Sequence, residues 1–147
     1  MQSTDIIGYI DANGEVHDGV IPVLCNRKTA SPFGEQWMQT NQAFLMEFAA
    51  RQDVGAEALR VFMYLNGRLD FQNIIRVPQI EIAKALNLKP PSVHRAIKKL
   101  ESLGILLRGA KVGQTVSWRL NPNAGWKGKV VDLREAQKNY LHIAHSN

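Results

Sequence analysis

Two adjacent prolines, Pro90 and Pro91, constrain the fold of this chain more than any other feature of its sequence. Proline lacks a backbone N–H and clashes with the preceding turn inside a helix, but it suits the first turn of one. The pair therefore excludes a continuous helix through this region. It favours two helices joined by a short polar turn at residues 87–91.

The spacing of apolar residues on either side of this turn supports two amphipathic helices. The first helix, with Pro78 in its first turn, is predicted to bury Ile80, Ile82, Ala83 and Leu86. The second repeats apolar residues at i, i+3, i+4, i+7 and i+10, namely Val93, Ala96, Ile97, Leu100 and Leu103. Gly104 follows where a left-handed cap residue is expected, so the second helix should end there.

A β-hairpin is predicted directly after these helices. Residues 105–109 and 115–120 have strand patterns around a loop at residues 110–114, in which Gly113 supplies turn freedom. Val116, Trp118 and Leu120 alternate with polar neighbours, so one face of the hairpin should be buried. A short strand including Ile75 and Val77 would pair with it. Two helices, a tight turn and a hairpin are typical of a winged helix-turn-helix, in a fold that is mainly α with a small β content.

The polar face of the second helix carries the candidate contacts to a DNA groove. It consists of Ser92, His94, Arg95, Lys98, Lys99 and Ser102. Arg95 can donate two hydrogen bonds to guanine, and Ser92 and His94 can donate or accept near it. Lys98 and Lys99 lie one turn later and suit phosphates. The alternative is that these cations only solvate an exposed face.

Cations outside this helix complete the predicted DNA-binding set. Arg108 and Lys111 belong to the hairpin, where such side chains rest on phosphates or enter the minor groove. An ordinary hairpin with solvated tips is the alternative. The remaining candidates are Arg76, Lys89 and Lys127.

The rest of the chain is predicted to frame this unit. Strand patterns at residues 6–11 and 16–25 flank Asn13 and Gly14, the strongest hairpin-turn dipeptide, and residues 26–33 form a loop. A helix at 35–50 is expected to direct Trp37, Phe44, Leu45 and Phe48 to the core. A helix at 55–69 carries Leu59, Phe62, Met63, Asn66 and Leu69 near one side, and a last helix spans 130–144. The expected divisions are an N-terminal hairpin and loop (1–33), a winged domain (34–131) and a C-terminal helix and tail (132–147).

Composition indicates a globular chain with an anionic partner. The 147 residues carry a formal charge of +5 and a pI of about 9.6, which favours polyanions. The single Cys25 cannot form an internal disulfide and fits a reducing cytoplasm. No apolar run approaches the roughly 18 residues of a membrane span. Asp5, with no apolar core after a basic start, argues against a secretory signal.

No constellation of residues suggests an enzyme, a cofactor or a metal site. The stretch GILLRGAK departs from a phosphate-binding loop, since Ala110 stands where a glycine is needed directly before the lysine. His17, His94, His142 and His145 lack partners at metal-ligand spacing.

The segments SVHRAIKKLESLGIL (92–106) and WRLNPNAGWKGK (118–129) resemble the RepL-type replication proteins of small bacterial plasmids. The likeness runs over residues 37–131. Its helix-turn-helix part is shared with MarR-like and Crp-like regulators, and the Asn-Pro turn followed by Gly-Trp-Lys-Gly-Lys is the more specific mark. The resemblance implies a winged-helix protein acting at a plasmid origin, with Ser92, His94, Arg95 and Lys98 at recognition-helix positions.

The sequence leaves three functions open. The first is a replication initiator that binds a specific duplex site, as a homodimer on a palindrome and with host replication machinery as a further partner. The second is a transcription regulator of plasmid or phage genes. The third is a winged helix that binds other proteins and no nucleic acid.

Overall fold

The computed structural model describes residues 9–10, 12–17 and 32–139. The chain divides into two units, residues 1–34 and residues 35–147. In the first unit, β1 (Tyr9–Ile10) pairs antiparallel with β2 (Val16–His17), and Gly14 in the turn has a φ of +85°. The predicted hairpin is therefore confirmed at its turn. Its predicted outer parts, the loop cations Arg27 and Lys28, and Cys25 lie outside the described residues.

The second unit is built from helices and two small antiparallel sheets. Its elements are β3 (Gln39–Thr40), α1 (Gln42–Ala50), α2 (Ala56–Gly67), a 3₁₀ turn (Phe71–Asn73), β4 (Ile74–Ile75), α3 (Gln79–Leu86), α4 (Pro90–Ser102), β5 (Leu106–Val112), β6 (Thr115–Leu120), β7 (Gly125–Trp126) and α5 (Val130–Asn139). One sheet has the order β4-β6-β5, and β3 pairs with β7 in the other. The expected strand beside the hairpin is confirmed at Ile75, but it comprises Ile74 and Ile75 and does not reach Val77 as predicted.

The core lies where α2, α3 and α4 pack together and meet one face of the three-stranded sheet. The sheet contributes Ile75, Leu106, Trp118 and Leu120 to it. The apolar stripe predicted for α4 is buried throughout. Gly104 ends that helix with a φ of +69°, so the left-handed cap is confirmed. The helix-turn-helix and wing are thus fixed to one hydrophobic core.

The helix predicted from residue 35 begins only at Gln42. Asn41 caps it, because its Oδ1 accepts hydrogen bonds from the N–H groups of Ala43 at 3.0 Å and Phe44 at 3.3 Å. Trp37 therefore precedes the helix and is 48% exposed, and Leu45 is exposed too. The core face predicted for this segment was wrong for these two residues and right for Phe44 and Phe48.

Two other predicted core positions face solvent. Met63 is 67% exposed, because α2 buries the adjacent stripe, whose members are Ala58, Val61, Phe62 and Leu65. Ile80 is 56% exposed, whereas Ile82 is fully buried. Residues two apart in an α-helix point about 200° away from each other, so one predicted face could not hold both.

The turn of the wing is shorter than expected. β5 runs to Val112, which leaves Gly113 and Gln114 between the strands rather than the loop predicted at residues 110–114. A register shift between Arg108 and Lys111 lets the strand continue past Gly109, and Gly113 closes the turn with a φ of +62°. The last helix is described from Val130 to Asn139, so its predicted end at residue 144 lies outside the described residues.

Candidate nucleic-acid interface

The outward face of α4 carries the predicted recognition residues. Pro90 and Pro91 occupy the first positions of this helix, where their missing N–H groups cost no hydrogen bond. Burial of the opposite stripe fixes the rotation of the helix about its axis. As a result His94, Arg95 and Lys98 are all exposed. A helix of this kind fits the major groove of B-DNA.

Ser92 was predicted to lie on the exposed face of α4, but it is buried. Its exposed fraction is 7%, because the first turn of α4 lies against the start of α2. Its Oγ accepts a hydrogen bond from Nη2 of Arg95 at 3.2 Å. Ser92 therefore restrains the guanidinium of Arg95, while the Arg95 side chain as a whole remains exposed.

His94 links the two helices of the motif. Its Nδ1 lies 3.3 Å from Oε1 of Gln79, the first residue of α3. The amide of Gln79 thereby favours one orientation of the imidazole ring. Sequence reasoning did not single out Gln79, whose signal is its place at the start of the first motif helix, beside the face of α4.

Lys99 is paired within the protein. Its Nζ lies 2.7 Å from Oδ2 of Asp53, which also accepts a hydrogen bond from Nη2 of Arg51 at 2.9 Å. The hydrogen bond from Arg51, followed by that from Lys99, holds the pKa of Asp53 well below its usual range. The Asp53 carboxylate thus stays charged at neutral pH. A phosphate at Lys99 must compete with it.

Glu101 joins α4 to the wing. Its Oε1 accepts a hydrogen bond from Nε1 of Trp118 at 2.9 Å and lies 3.4 Å from Nε of Arg108. Its Oε2 lies 3.7 Å from Nζ of Lys98. The carboxylate therefore holds two predicted phosphate contacts, Lys98 and Arg108, near one another. Lys111 is exposed on β5, close to the turn of the wing.

Two predicted contacts belong neither to α4 nor to the hairpin of the wing. Arg76 is exposed and lines a groove on the sheet together with Arg108 and Arg119. The backbone N–H of Lys127 donates to Oδ1 of Asn73, the residue just before β4, at 2.8 Å. Lys89, by contrast, is exposed immediately before α4.

Among the residues that the structure describes, no group of three or more His, Cys, Asp or Glu side chains could hold a metal ion. Within the same residues, no helix is both long and apolar enough to cross a membrane.

A helix-turn-helix that presents basic side chains from its second helix, followed by an antiparallel wing, defines a winged helix-turn-helix DNA-binding domain. Residues 76–106 match the family model for winged helix-turn-helix DNA-binding. The matched range contains α3, α4 and the first residue of the wing, so the chain carries such a domain. Searches of curated proteins and of solved structures found no match.

Proposed function

We propose that this protein binds a specific duplex DNA site and initiates replication at a plasmid origin. The observation that carries the DNA-binding part is the exposed face of α4, which presents Arg95 and His94 from its first half. The replication role is supported by the likeness of residues 92–106 and 118–129 to the RepL-type proteins.

In the proposed mechanism the protein acts by placing side chains against the bases and phosphates of the duplex. Arg95 and His94 contact base edges in the major groove, while Lys98 and Lys89 contact flanking phosphates. Arg108 and Lys111 bring the wing to phosphates or to the minor groove. Ser92 restrains Arg95, and Lys99 exchanges its carboxylate partner for a phosphate. The proposal contains no catalytic step and no cofactor.

A homodimer is part of this proposal. Two copies on a palindromic site would each place one α4 in successive turns of the major groove. The apolar surface of α1, where Leu45 and Met46 are exposed, supports pairing through that helix. Sedimentation of the protein alone, and with one site-bearing duplex, measures this stoichiometry.

Transcription regulation is the second candidate. It is supported by the match of residues 76–106 to a motif that regulators share. The two roles differ in where the protein binds, since an initiator occupies an origin and a repressor occupies a promoter.

Selection of bound fragments from plasmid DNA and from random DNA tests the proposal. We expect enrichment of repeated sites within an origin and replication of a plasmid carrying that origin when the protein is supplied. Enrichment of promoter fragments, with no effect on plasmid replication, would instead assign the protein to transcription. Enrichment of no sequence would contradict specific binding.

A further inference from the structure

The outer face of the three-stranded sheet carries an open groove. Alternation along the strands turns Ile75, Trp118 and Leu106 toward the helices, so Ile74, Arg119 and Leu107 lie on the other face. Arg119 stands opposite Ile74 on β4 and opposite Leu107 on β5. These side chains border a groove with a volume of about 380 Å³.

The groove is positively charged and contains no acidic side chain. Arg76, Arg108 and Arg119 line it, and none of its other lining residues is ionisable. Arg108 is compensated by Glu101. Arg76 and Arg119 form no ion pair with any residue that the structure describes. Two uncompensated guanidinium groups on one small surface repel each other, and a bound anion would relieve that repulsion.

The centre of the groove is apolar. Ile74 and Leu107 are only half-buried, on either side of Arg119. Beside them β5 approaches β6 closely at Gly109, where an added Cβ would lie 2.7 Å from Oγ of Ser117. The groove therefore combines cationic edges with exposed apolar surface. A phosphodiester backbone satisfies only the first of these features, whereas an extended peptide with acidic and aliphatic residues at every second position, on one face, satisfies both.

We infer that this groove binds an acidic, aliphatic peptide segment of a partner protein while α4 occupies DNA. Carboxylates of the peptide pair with Arg76 and Arg119, and an aliphatic side chain between them covers Ile74 and Leu107. Bidentate pairing to arginine gives the contact its orientation. The protein would thus connect a DNA site, bound by α4, to a second protein, bound in this groove. Base recognition by α4 is not required for this inference.

Binding of the labelled pentapeptide Asp-Ser-Leu-Ser-Asp, whose acidic and aliphatic side chains share one face when it is extended, tests the inference by fluorescence anisotropy. We expect saturable binding to the full-length protein. The affinity of the Arg76→Gln/Arg119→Gln double variant for the peptide should be at least tenfold lower. Arg119→Lys keeps the charge but cannot pair with a carboxylate in a bidentate way, so its affinity should lie between those of the unmodified protein and the double variant. Arg134→Gln, which removes an exposed charge on α5, is the matched control and should bind as the unmodified protein does.

Two further measurements separate the possible outcomes. The peptide Asp-Ser-Ser-Ser-Asp should bind much more weakly, since it cannot cover the apolar centre. In the unmodified protein, amide NMR signals of Leu107, Gly109 and Ser117 should shift during titration with the leucine-containing peptide, which requires no variant to fold. No saturable binding, equal losses in the control, or unshifted groove signals would overturn the inference. A loss of duplex affinity in the double variant, with peptide affinity unchanged, would assign the groove to nucleic acid.

Discussion

Nε1 of Trp118 donates a hydrogen bond to Oε1 of Glu101 at 2.9 Å, and this bond fixes the base of the wing to the recognition helix. The indole ring is buried in the core, while Glu101 is near the surface with Lys98 and Arg108 beside it. The bond therefore fixes the position of Glu101, and of the cations beside it, relative to the core. Its removal should loosen Glu101 and the two cations beside it, while the apolar core still holds the wing against α4.

Replacing Trp118 by Phe tests this connection, because the ring stays apolar while the N–H donor is lost. We expect the free energy of unfolding to fall by about 1–3 kcal/mol, the range for a hydrogen bond to a charged group together with the smaller ring. Thermal unfolding of Trp118→Phe, Glu101→Gln and the double variant measures the coupling. Additive losses in the double variant would show that the two side chains do not act together.

Asn73 should be essential for stability, although it is not itself one of the predicted DNA contacts. It is fully buried, and its Nδ2 donates to the carbonyl oxygens of Leu120 at 3.0 Å and Gly125 at 2.6 Å. Asn73→Ala leaves these acceptors unpaired and should cost roughly 3 kcal/mol or more. Asn87→Ala is the control, because Asn87 has a similar left-handed backbone but an exposed side chain, so it measures the cost of alanine in that conformation. Chemical denaturation should show a loss of about 1 kcal/mol for the control and a clearly larger loss for Asn73→Ala. A comparable loss in both variants would attribute the effect to backbone conformation.

Asp53→Asn should strengthen binding to all duplexes. The carboxylate pairs with Lys99, so its removal releases the ammonium for a phosphate and also deletes a negative charge near the DNA. We expect a gain of roughly two- to fivefold, independent of sequence, the size typical of one exposed ion pair. Titration of labelled specific and random duplexes measures it, with Asp132→Asn on α5 as the control. If Asp53→Asn raises affinity by the same factor in a Lys99→Ala background, release of Lys99 does not cause the gain in affinity.

The contacts of Asp53 with Arg51 and Lys99 also predict that the stability of the fold depends on pH under acidic conditions. The pKa of Asp53 is lowered in the folded state, chiefly by the hydrogen bond from Arg51. Below the usual carboxyl pKa of about 4 the unfolded chain therefore binds a proton that the folded chain does not. The contribution of Asp53 to stability is present above that pH and declines as the pH falls. Between pH 5 and pH 2 the melting temperature should fall less steeply for Asp53→Asn than for the unmodified protein. Equal slopes of melting temperature against pH would exclude this contribution.

Lys111→Ala tests the wing. Removing one phosphate contact should weaken binding to specific and random duplexes alike and reduce the slope of log affinity against log salt by roughly one unit. Lys138→Ala, on the exposed side of α5, should leave the slope unchanged. An unchanged slope for Lys111→Ala would remove the wing from the DNA contacts.

The sequence alone predicted the winged helix-turn-helix because its signals are local. Pro90 and Pro91 fix the start of α4, and the stripe from Val93 to Leu103 fixes its rotation about the axis. The same stripe placed His94, Arg95 and Lys98 on the outside. These features depend on helix periodicity and backbone chemistry within one short segment.

Other features depend on contacts between distant segments, and sequence periodicity does not contain them. Nothing in the residues near Lys99 indicates that Asp53, 46 positions earlier, accepts its hydrogen bond. Ser92 looked exposed from its place on the helix, but α2 covers it. The pairing of Ile74 and Leu107 with Arg119 likewise appears only once the strands are in register.

Base reading by Arg95 is the central claim, and one comparison tests it most directly. The affinities of the unmodified protein and of Arg95→Ala are measured on the selected site and on every single-base variant of that site, with Arg134→Ala as the charge-matched control. We predict a loss of about 1–3 kcal/mol on the selected site, with base preference relaxed at one position and unchanged elsewhere. An equal loss on every sequence, or no loss beyond that of the control, would contradict the assignment of α4 as the helix that reads DNA.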